Sequence, residues 1–228
     1  MTSSEAMDMT GPTPSSSVPP SAKRRHRRIV RWAILAGAAG GLLIGGYCAC
    51  LVLVTTNFHT VVPGQVYRSA QPSPEQVHQW VPKYGLKTIV NLRHDAWKTG
   101  IESERQAAQV AGAHLVNVPW SDRELPSIET VLQLVDILER SPRPILLHCK
   151  AGADRAGVAS VMAAMAIDGE SYDSARKQLS ILYLHVSNSP DLVGGFLGRY
   201  EQFCRDKSLG TGRWKEFRRW ATEDYNPG

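Results

Sequence analysis

A cysteine and an arginine stand six positions apart in the stretch His-Cys-Lys-Ala-Gly-Ala-Asp-Arg, residues 148–155. The five residues between Cys149 and Arg155 can curl so that their backbone N–H groups point at one centre. At a helix N-terminus, such a loop is an anion-binding nest. The same field stabilises a thiolate at Cys149, which would make it nucleophilic at neutral pH. The spacing therefore predicts a phosphate site with a nucleophile at its base.

The other residues of this loop fit the same chemistry. The planar fork of Arg155 can close the ring and grip two phosphate oxygens. Gly152 permits a backbone turn that a side chain would block. We expect the phosphate to be bound by Lys150, Ala151, Gly152, Ala153, Asp154 and Arg155. Lys150 has two interpretations: recognition of a highly phosphorylated substrate, or a solvated loop lysine.

Predicted strands and helices alternate around this loop. Strands are predicted on either side of the Pro63-Gly64 turn (60–68), and at 87–92, 114–118 and 144–148. Helices are predicted from Ser73 to Gly85, at 102–111, from Ser127 to about 139, and at 157–167, with residues 171–222 mostly helical. This alternation predicts an α/β fold, with a central, mostly parallel sheet flanked by helices on both faces.

The N-terminal quarter has a different composition. Residues 1–28 are predicted to form a disordered tail with a basic end, because their Ser, Thr and Pro offer little to bury. No charged residue occurs from 32 to 54, and a helix of that length, about 34 Å, spans a bilayer core of about 30 Å. We assign 29–55 to a transmembrane helix and 57–228 to one catalytic domain.

The basic flank predicts an orientation for this helix. Positive-inside bias places the tail in the cytoplasm and the domain on the far side of the membrane. An oxidising compartment there would threaten a reactive thiol, so either the site is shielded or the orientation is reversed. A cleaved signal peptide, a lipoprotein site and a buried core helix are less suited alternatives.

The charge distribution argues against a nucleic-acid partner. The formal net charge of the chain is +5, but residues 1–31 hold six basic and two acidic residues and so carry +4 of it. The remaining residues are almost neutral. The basicity therefore belongs to the membrane flank and does not indicate a surface for nucleic acid.

The stretch from His148-Cys149 to Arg155 resembles the signature of the cysteine-dependent protein tyrosine phosphatase superfamily. The opening segment 58–72, Phe-His-Thr-Val-Val-Pro-Gly-Gln-Val-Tyr-Arg-Ser-Ala-Gln-Pro, is similar to its dual-specificity phosphatase-like branch, including atypical bacterial, fungal and plant members. The resemblance covers about residues 57–205 and implies that superfamily's α/β fold.

The resemblance also implies a two-step mechanism. Cys149 attacks phosphorus to form a phosphocysteine while a general acid protonates the leaving oxygen, and water then hydrolyses the intermediate. No metal and no cofactor is implied, and the histidines show no metal-ligand spacing. The implied substrates are phosphotyrosine or phosphoserine/threonine proteins, phosphoinositides, or soluble inositol phosphates.

Three carboxylates compete for the role of general acid. The family places an Asp on a mobile loop about thirty residues before the cysteine, and Asp122 lies 27 before Cys149. Asp154 is the second candidate, because some lipid-directed relatives use an Asp beside the signature arginine. Glu124 is the third. The alternative for Asp122 is an exposed loop carboxylate without a catalytic role.

One position departs from the family pattern. Ala156 follows Arg155, where most relatives have Thr or Ser, whose hydroxyl stabilises the leaving thiolate in the second step. Its absence raises a second hypothesis, a catalytically weak or inactive phosphoryl-binding module. Sulfur transfer, as in rhodanese-like domains, is a third hypothesis, which the spacing to Arg155 disfavours.

Overall fold

A computed structural model describes residues 22–53, 56–94, 100–186, 193–210 and 212–228. Of the tail predicted to be disordered, residues 1–21 lie outside the described residues, and residues 22–28 belong to a helix. The described chain divides into two units, with the boundary between Gly46 and Tyr47. Helix α1 runs from Ala22 to Leu53, and its segment Arg25–Tyr47 is, by length and composition, a candidate to cross a bilayer.

The second unit contains a five-stranded sheet, counted over the described residues, in the order β1-β2-β5-β3-β4. Its strands are β1 (His59–Val62), β2 (Val66–Ser69), β3 (Thr88–Arg93), β4 (His114–Trp120) and β5 (Ile145–His148). β1 pairs antiparallel with β2, and every other pairing is parallel. The predicted mostly parallel sheet is confirmed, and β5 lies at its centre.

Helices cover both faces of this sheet. They are α2 (Pro74–Tyr84), α3 (Ile101–Ala111), α4 (Ile128–Arg140), α5 (Asp154–Ile167), α6 (Tyr172–Ala175), α7 (Val193–Asp206) and α8 (Trp214–Arg219). Because side chains alternate along a strand, Leu146 packs into the core beneath α2 and α3, whereas Ile145 and Leu147 pack with α4, α5 and the C-terminal helices. The buried strand β5 therefore contributes to both cores.

The predicted helix boundaries follow from local capping. The Ser73 hydroxyl accepts a hydrogen bond from Gln76 N, the Gln76 side-chain oxygen accepts one from Ser73 N, and Gly85 ends α2 with a φ of 65°. At the start of α4 the Ser127 hydroxyl accepts a hydrogen bond from Thr130 N. Glycine and small hydroxyl residues thus fix the ends of the helices that cover the sheet.

Helix α5 begins earlier than the sequence pattern indicated. It was predicted from Gly157, but its first residue is Asp154. All residues from Arg155 to Met165 are buried, so the helix has no polar face whose periodicity would mark its start. The earlier start places Arg155 in the first turn, directly after the loop that leaves β5.

Candidate active site

Residues 149–153 form a tight loop from the carboxyl end of β5 to the start of α5, and we name residues 149–155 the phosphate loop. Cys149 is a free thiol, only 3% exposed. Gly152 has a φ of +70°, and a Cβ there would lie 2.6 Å from Ser69 C and from Ala70 N. Only glycine therefore allows the loop to pack against the end of β2.

The carbonyl groups of the phosphate loop are bonded to donors outside residues 149–153. Lys150 O accepts from Gln71 N (3.4 Å), Ala151 O from Asn57 Nδ2 (2.9 Å), Gly152 O from Arg68 Nη2 (2.7 Å), and Ala153 O from Arg68 Nη2 (3.0 Å) and Gly157 N (2.8 Å). Because the C=O and N–H of one trans peptide point in opposite directions, the N–H groups of residues 151–154 face the inner side of the loop.

These inward N–H groups are free to bind an anion. Among the described residues, none of the backbone N–H groups from Ala151 to Arg155 donates a hydrogen bond. They converge beside the N-terminus of a 14-residue helix, whose dipole also favours negative charge. The loop is thus a cradle for a phosphate, with Cys149 at its start.

Arg155 is fixed by the ends of two neighbouring strands. It is 7% exposed, and its Nη1 donates to Trp120 O (2.9 Å) and lies 3.5 Å from Leu92 O. Its Nε and Nη2 have no hydrogen-bond partner within the described part of the chain, and they can bind phosphate oxygens. Lys150 is exposed at the outer side of the same loop.

Asp154 has a partner that the sequence analysis missed. His185 Nδ1 lies 2.7 Å from Asp154 Oδ1, and the imidazole is only 11% exposed, against 40% for the Asp154 side chain. His185 follows a short 3₁₀ turn, Ile181–Tyr183, and is separated from Asp154 by 31 residues. No motif marks it, so only the tertiary fold identifies it as part of the site.

The other two candidate acids lie on a different loop. Asp122 and Glu124 follow β4, and both are exposed. Their carboxylates make no hydrogen bond and no ion pair with any described residue. The loop nevertheless starts at Trp120, whose carbonyl Arg155 holds. Asp122 is therefore two residues from the strand end that Arg155 contacts, although no described residue contacts its carboxylate.

A buried histidine–glutamate contact lies behind the nucleophile. His148 Nε2 is 2.8 Å from Glu104 Oε1, without the alignment of a hydrogen bond, and both side chains are almost fully buried. Glu104 Oε2 also accepts a hydrogen bond from Gln71 Nε2 at 2.5 Å. Since His148 and Cys149 are adjacent, Glu104 links α3 to the base of the phosphate loop.

The position after Arg155 has no hydroxyl to offer to the sulfur. Ala156 is fully buried, and the hydroxyl of Ser160, one helical turn later, donates to Ala156 O at 2.6 Å. That hydroxyl is therefore engaged inside α5 and cannot replace the missing one.

Comparisons with known proteins agree with this geometry. A family model described as "DSP-PTPase phosphatase fused to NAD+ Kinase" matches residues 56–185. The core catalytic domain of the PP-IP phosphatase SIW14 from S. cerevisiae aligns at 19% identity with a TM-score of 0.51, covering 69% of this chain and 96% of that one. This match confirms the expected α/β fold.

Two further structures align less closely. PTPMT1 in complex with PI(5)P gives a TM-score of 0.49 at 14% identity, over 66% of this chain and 98% of that one. TpbA from P. aeruginosa gives 0.41 at 23% identity, over 55% of this chain and 73% of that one.

Proposed function

The chain belongs to the family of DSP-PTPase phosphatases described as fused to NAD+ kinase, and on that premise we propose that it hydrolyses phosphate monoesters through a phosphocysteine at Cys149. One observation carries the proposal. The carbonyls of residues 150–153 are bonded outwards, so the N–H groups that follow Cys149 face the inner side of the loop, which Arg155 closes.

The first chemical step begins with the phosphate in this cradle. The N–H groups and the free Nε and Nη2 of Arg155 bind the non-bridging oxygens and stabilise the charge that they gain in the transition state. The Cys149 thiolate attacks phosphorus, the P–O bond to the leaving group breaks, and a carboxylic acid gives its proton to the departing oxygen.

The second step regenerates the enzyme. Water attacks the phosphorus of the phosphocysteine, its proton passes to the carboxylate formed in the first step, and the S–P bond breaks. The electron pair of that bond returns to sulfur as a thiolate, and inorganic phosphate leaves. No step requires a group from outside the chain other than water.

We assign the general acid to Asp122, with Asp154 second and Glu124 third. Asp154 is already engaged by His185, whose Nδ1 lies 2.7 Å from its Oδ1. Asp122 is unconstrained and follows the carbonyl that Arg155 holds, so loop closure over a substrate can bring it to the leaving oxygen.

The substrate classes that we propose are phosphorylated proteins and phosphoinositides. The exposed Lys150 beside the cradle favours a substrate with further negative charge. A panel of a phosphotyrosine peptide, a phosphothreonine peptide, a soluble inositol phosphate and phosphoinositide vesicles separates these classes through their kcat/KM values.

We also propose that α1 anchors the enzyme in a membrane, with the N-terminal tail in the cytoplasm. The apolar segment Arg25–Tyr47 and the basic residues that precede and begin it support this arrangement. A reporter fused to the C-terminus tests the orientation. Activity of a reporter that works only in the cytoplasm would reverse it.

The central test uses the full chain in detergent with p-nitrophenyl phosphate. Cys149→Ser removes the nucleophile and is expected to lower kcat to the background, a loss of at least about 10⁴-fold. Cys204→Ser is the matched control, because Cys204 is also a free and buried cysteine but lies on α7. Equal activity of Cys149→Ser and wild type would exclude the mechanism.

Ala156 supports a second candidate, a module that binds phosphoryl groups without turnover. In that case wild type binds orthovanadate, Arg155→Ala does not, and neither protein hydrolyses any member of the panel.

A further inference from the structure

A second arginine lies beneath the phosphate loop. Arg68, on β2, is completely buried, and in the parallel pairing of β2 with β5 it lies opposite Leu147, two residues before Cys149. Its side chain lies on the α5 face of the sheet and ends at the junction of the loop with α5. Sequence patterns would place a strand arginine at the surface, so this position is unexpected.

Both terminal nitrogens of the Arg68 guanidinium are hydrogen-bonded, whereas its buried Nε has no partner among the described residues. Nη2 donates to Gly152 O and Ala153 O, and Nη1 donates to Gln178 O at 2.6 Å and to the Gln178 side-chain amide oxygen, Oε1, at 3.3 Å. Its Cζ lies 4.6 Å from the centroid of the Tyr183 ring. A Cβ on Gly157 would come within 3.3 Å of Nη2, so this glycine leaves space for the guanidinium against the first turn of α5.

These partners hold the cation without neutralising it. They are carbonyls, an amide and a ring, and no carboxylate forms an ion pair with Arg68 in the described part of the chain. Burial lowers the pKa of Arg68 to about 10, while Cys149, Tyr183 and Asp154 oppose that fall, so the group is charged at neutral pH. A buried cation without a counter-charge is costly, and an anion nearby removes that cost.

We propose that Arg68 is a positioning residue that holds the phosphate loop in shape and supplies the positive charge that stabilises the Cys149 thiolate. The two carbonyls that it holds are those of Gly152 and Ala153, whose outward direction turns the following N–H groups toward the phosphate. Its charge acts whenever sulfur is anionic, before the attack on phosphorus and again when the S–P bond breaks.

The charge of Arg68 also stabilises the thiolate that leaves when the S–P bond breaks, and this explains how turnover proceeds although residue 156 is alanine. The chain has no hydroxyl at this position, and the Ser160 hydroxyl is engaged by Ala156 O. Arg68 provides a full positive charge where the hydroxyl of a Thr or Ser at position 156 would provide only a dipole. This part rests on the proposed phosphatase function, whereas stabilisation of the thiolate in the resting protein does not.

Other charged or titratable groups surround the loop, so the test must isolate Arg68. They are Arg155 and Asp154 on α5, His185 against Asp154, Lys150 in the loop, Arg93 at the end of β3, His59 on β1, and Tyr183 beside the Arg68 guanidinium. His148 and Glu104 form a pair on the opposite face of the sheet. All of these remain unchanged in variants at position 68.

The test measures how fast iodoacetamide alkylates Cys149 between pH 5 and 9, by peptide mass, with the full chain in detergent. Only the thiolate reacts, so the pH at half-maximal rate reports its stabilisation. We expect Arg68→Met to slow alkylation at pH 6 by about 10-fold or more, a shift of about one pH unit, with the limiting rate at high pH retained. Arg68→Lys, which keeps the charge, should recover most of the wild-type rate.

Two controls make the result decisive. Arg143→Met removes one exposed arginine far from the loop and should leave the profile unchanged. The buried thiol of Cys204 reports unfolding in the same spectra. If Arg68→Met exposes Cys204, then Arg68→Gln, whose amide can still donate to the loop carbonyls, is measured in its place.

A folded Arg68→Met or Arg68→Gln protein with the profile of Arg143→Met would overturn the proposal. This outcome is distinct from failure of the phosphatase function. If the wild type is inactive but the Arg68→Met profile is shifted, the role of Arg68 is supported and the phosphatase function is excluded. If the wild type is active but the Arg68→Met profile is unshifted, the phosphatase function is supported and the role of Arg68 is excluded.

Discussion

Two loops approach the same phosphate site, and they are held in opposite ways. Every carbonyl from Lys150 to Ala153 in the phosphate loop has a donor, and the loop is mostly buried. The loop after β4 presents Asp122 and Glu124 to solvent without any described contact to either carboxylate. The part of the site proposed to bind phosphate is preorganised, whereas the part proposed to donate the proton must still move.

This difference has a chemical reason. Charge on the phosphate oxygens is stabilised best by dipoles that need no rearrangement during the reaction. A general acid, in contrast, must admit the substrate before it closes on the leaving oxygen, and its contacts often form only in the complex. Variants of the two loops should therefore differ in the size and the kind of their effects.

Among variants that keep the nucleophile, the largest effect is expected for Gly152→Ala. Its Cβ would meet the backbone of Ser69 and Ala70 at 2.6 Å, so the loop must shift and its N–H groups lose their common centre. We expect kcat/KM for p-nitrophenyl phosphate to fall by about 10³-fold.

Gly85→Ala is the matched control for Gly152→Ala. Gly85 has a φ of +65°, but nothing lies within 4 Å of its would-be Cβ. This variant should lose about 1 kcal/mol of unfolding free energy and keep its activity. If both glycine variants were equally active, the phosphate loop would not be preorganised as described.

Asp122→Asn should have a smaller effect, and one that depends on the substrate. A proton donor matters most for a poor leaving group, so kcat/KM for phenyl phosphate should fall by about 10²-fold, and that for p-nitrophenyl phosphate much less. Asp154→Asn and Glu124→Gln should show no such dependence. If Asp154→Asn shows this leaving-group dependence instead, the general acid is Asp154 in the phosphate loop and not Asp122.

The smallest effect is expected for Ala156→Ser. Since Arg68 already stabilises the departing thiolate, an added hydroxyl should change kcat by less than about 3-fold. In the background of Arg68→Met the same substitution should help more, and a double-mutant cycle measures that coupling. A gain of about 10-fold or more in the wild-type background would show that the missing hydroxyl limits turnover.

The sequence predicted the parts of the molecule that local patterns determine. Ser73 and Gly85 marked the ends of α2, and the apolar run before Cys149 marked the central strand. The start of α5 was placed three residues late because its all-buried surface has no periodicity. Local signals thus located the elements, with errors where burial is complete.

The side chains that contact the phosphate loop could not be predicted from local sequence patterns. Asn57 contacts Ala151 across 94 residues, and Arg68 contacts Gly152 across 84. Both contacts join residues that are distant in sequence, and the neighbouring residues of Asn57 and Arg68 form no pattern that predicts them. His185 was missed for the same reason.

The most direct test of the central claim is the mass of the protein during turnover. The full chain is mixed with p-nitrophenyl phosphate, quenched in acid within milliseconds and digested for peptide mass analysis. The account predicts one added phosphoryl group on the peptide that contains Cys149, formed no more slowly than the first turnover and absent in Cys149→Ser. Full turnover with Cys149 never phosphorylated would contradict it.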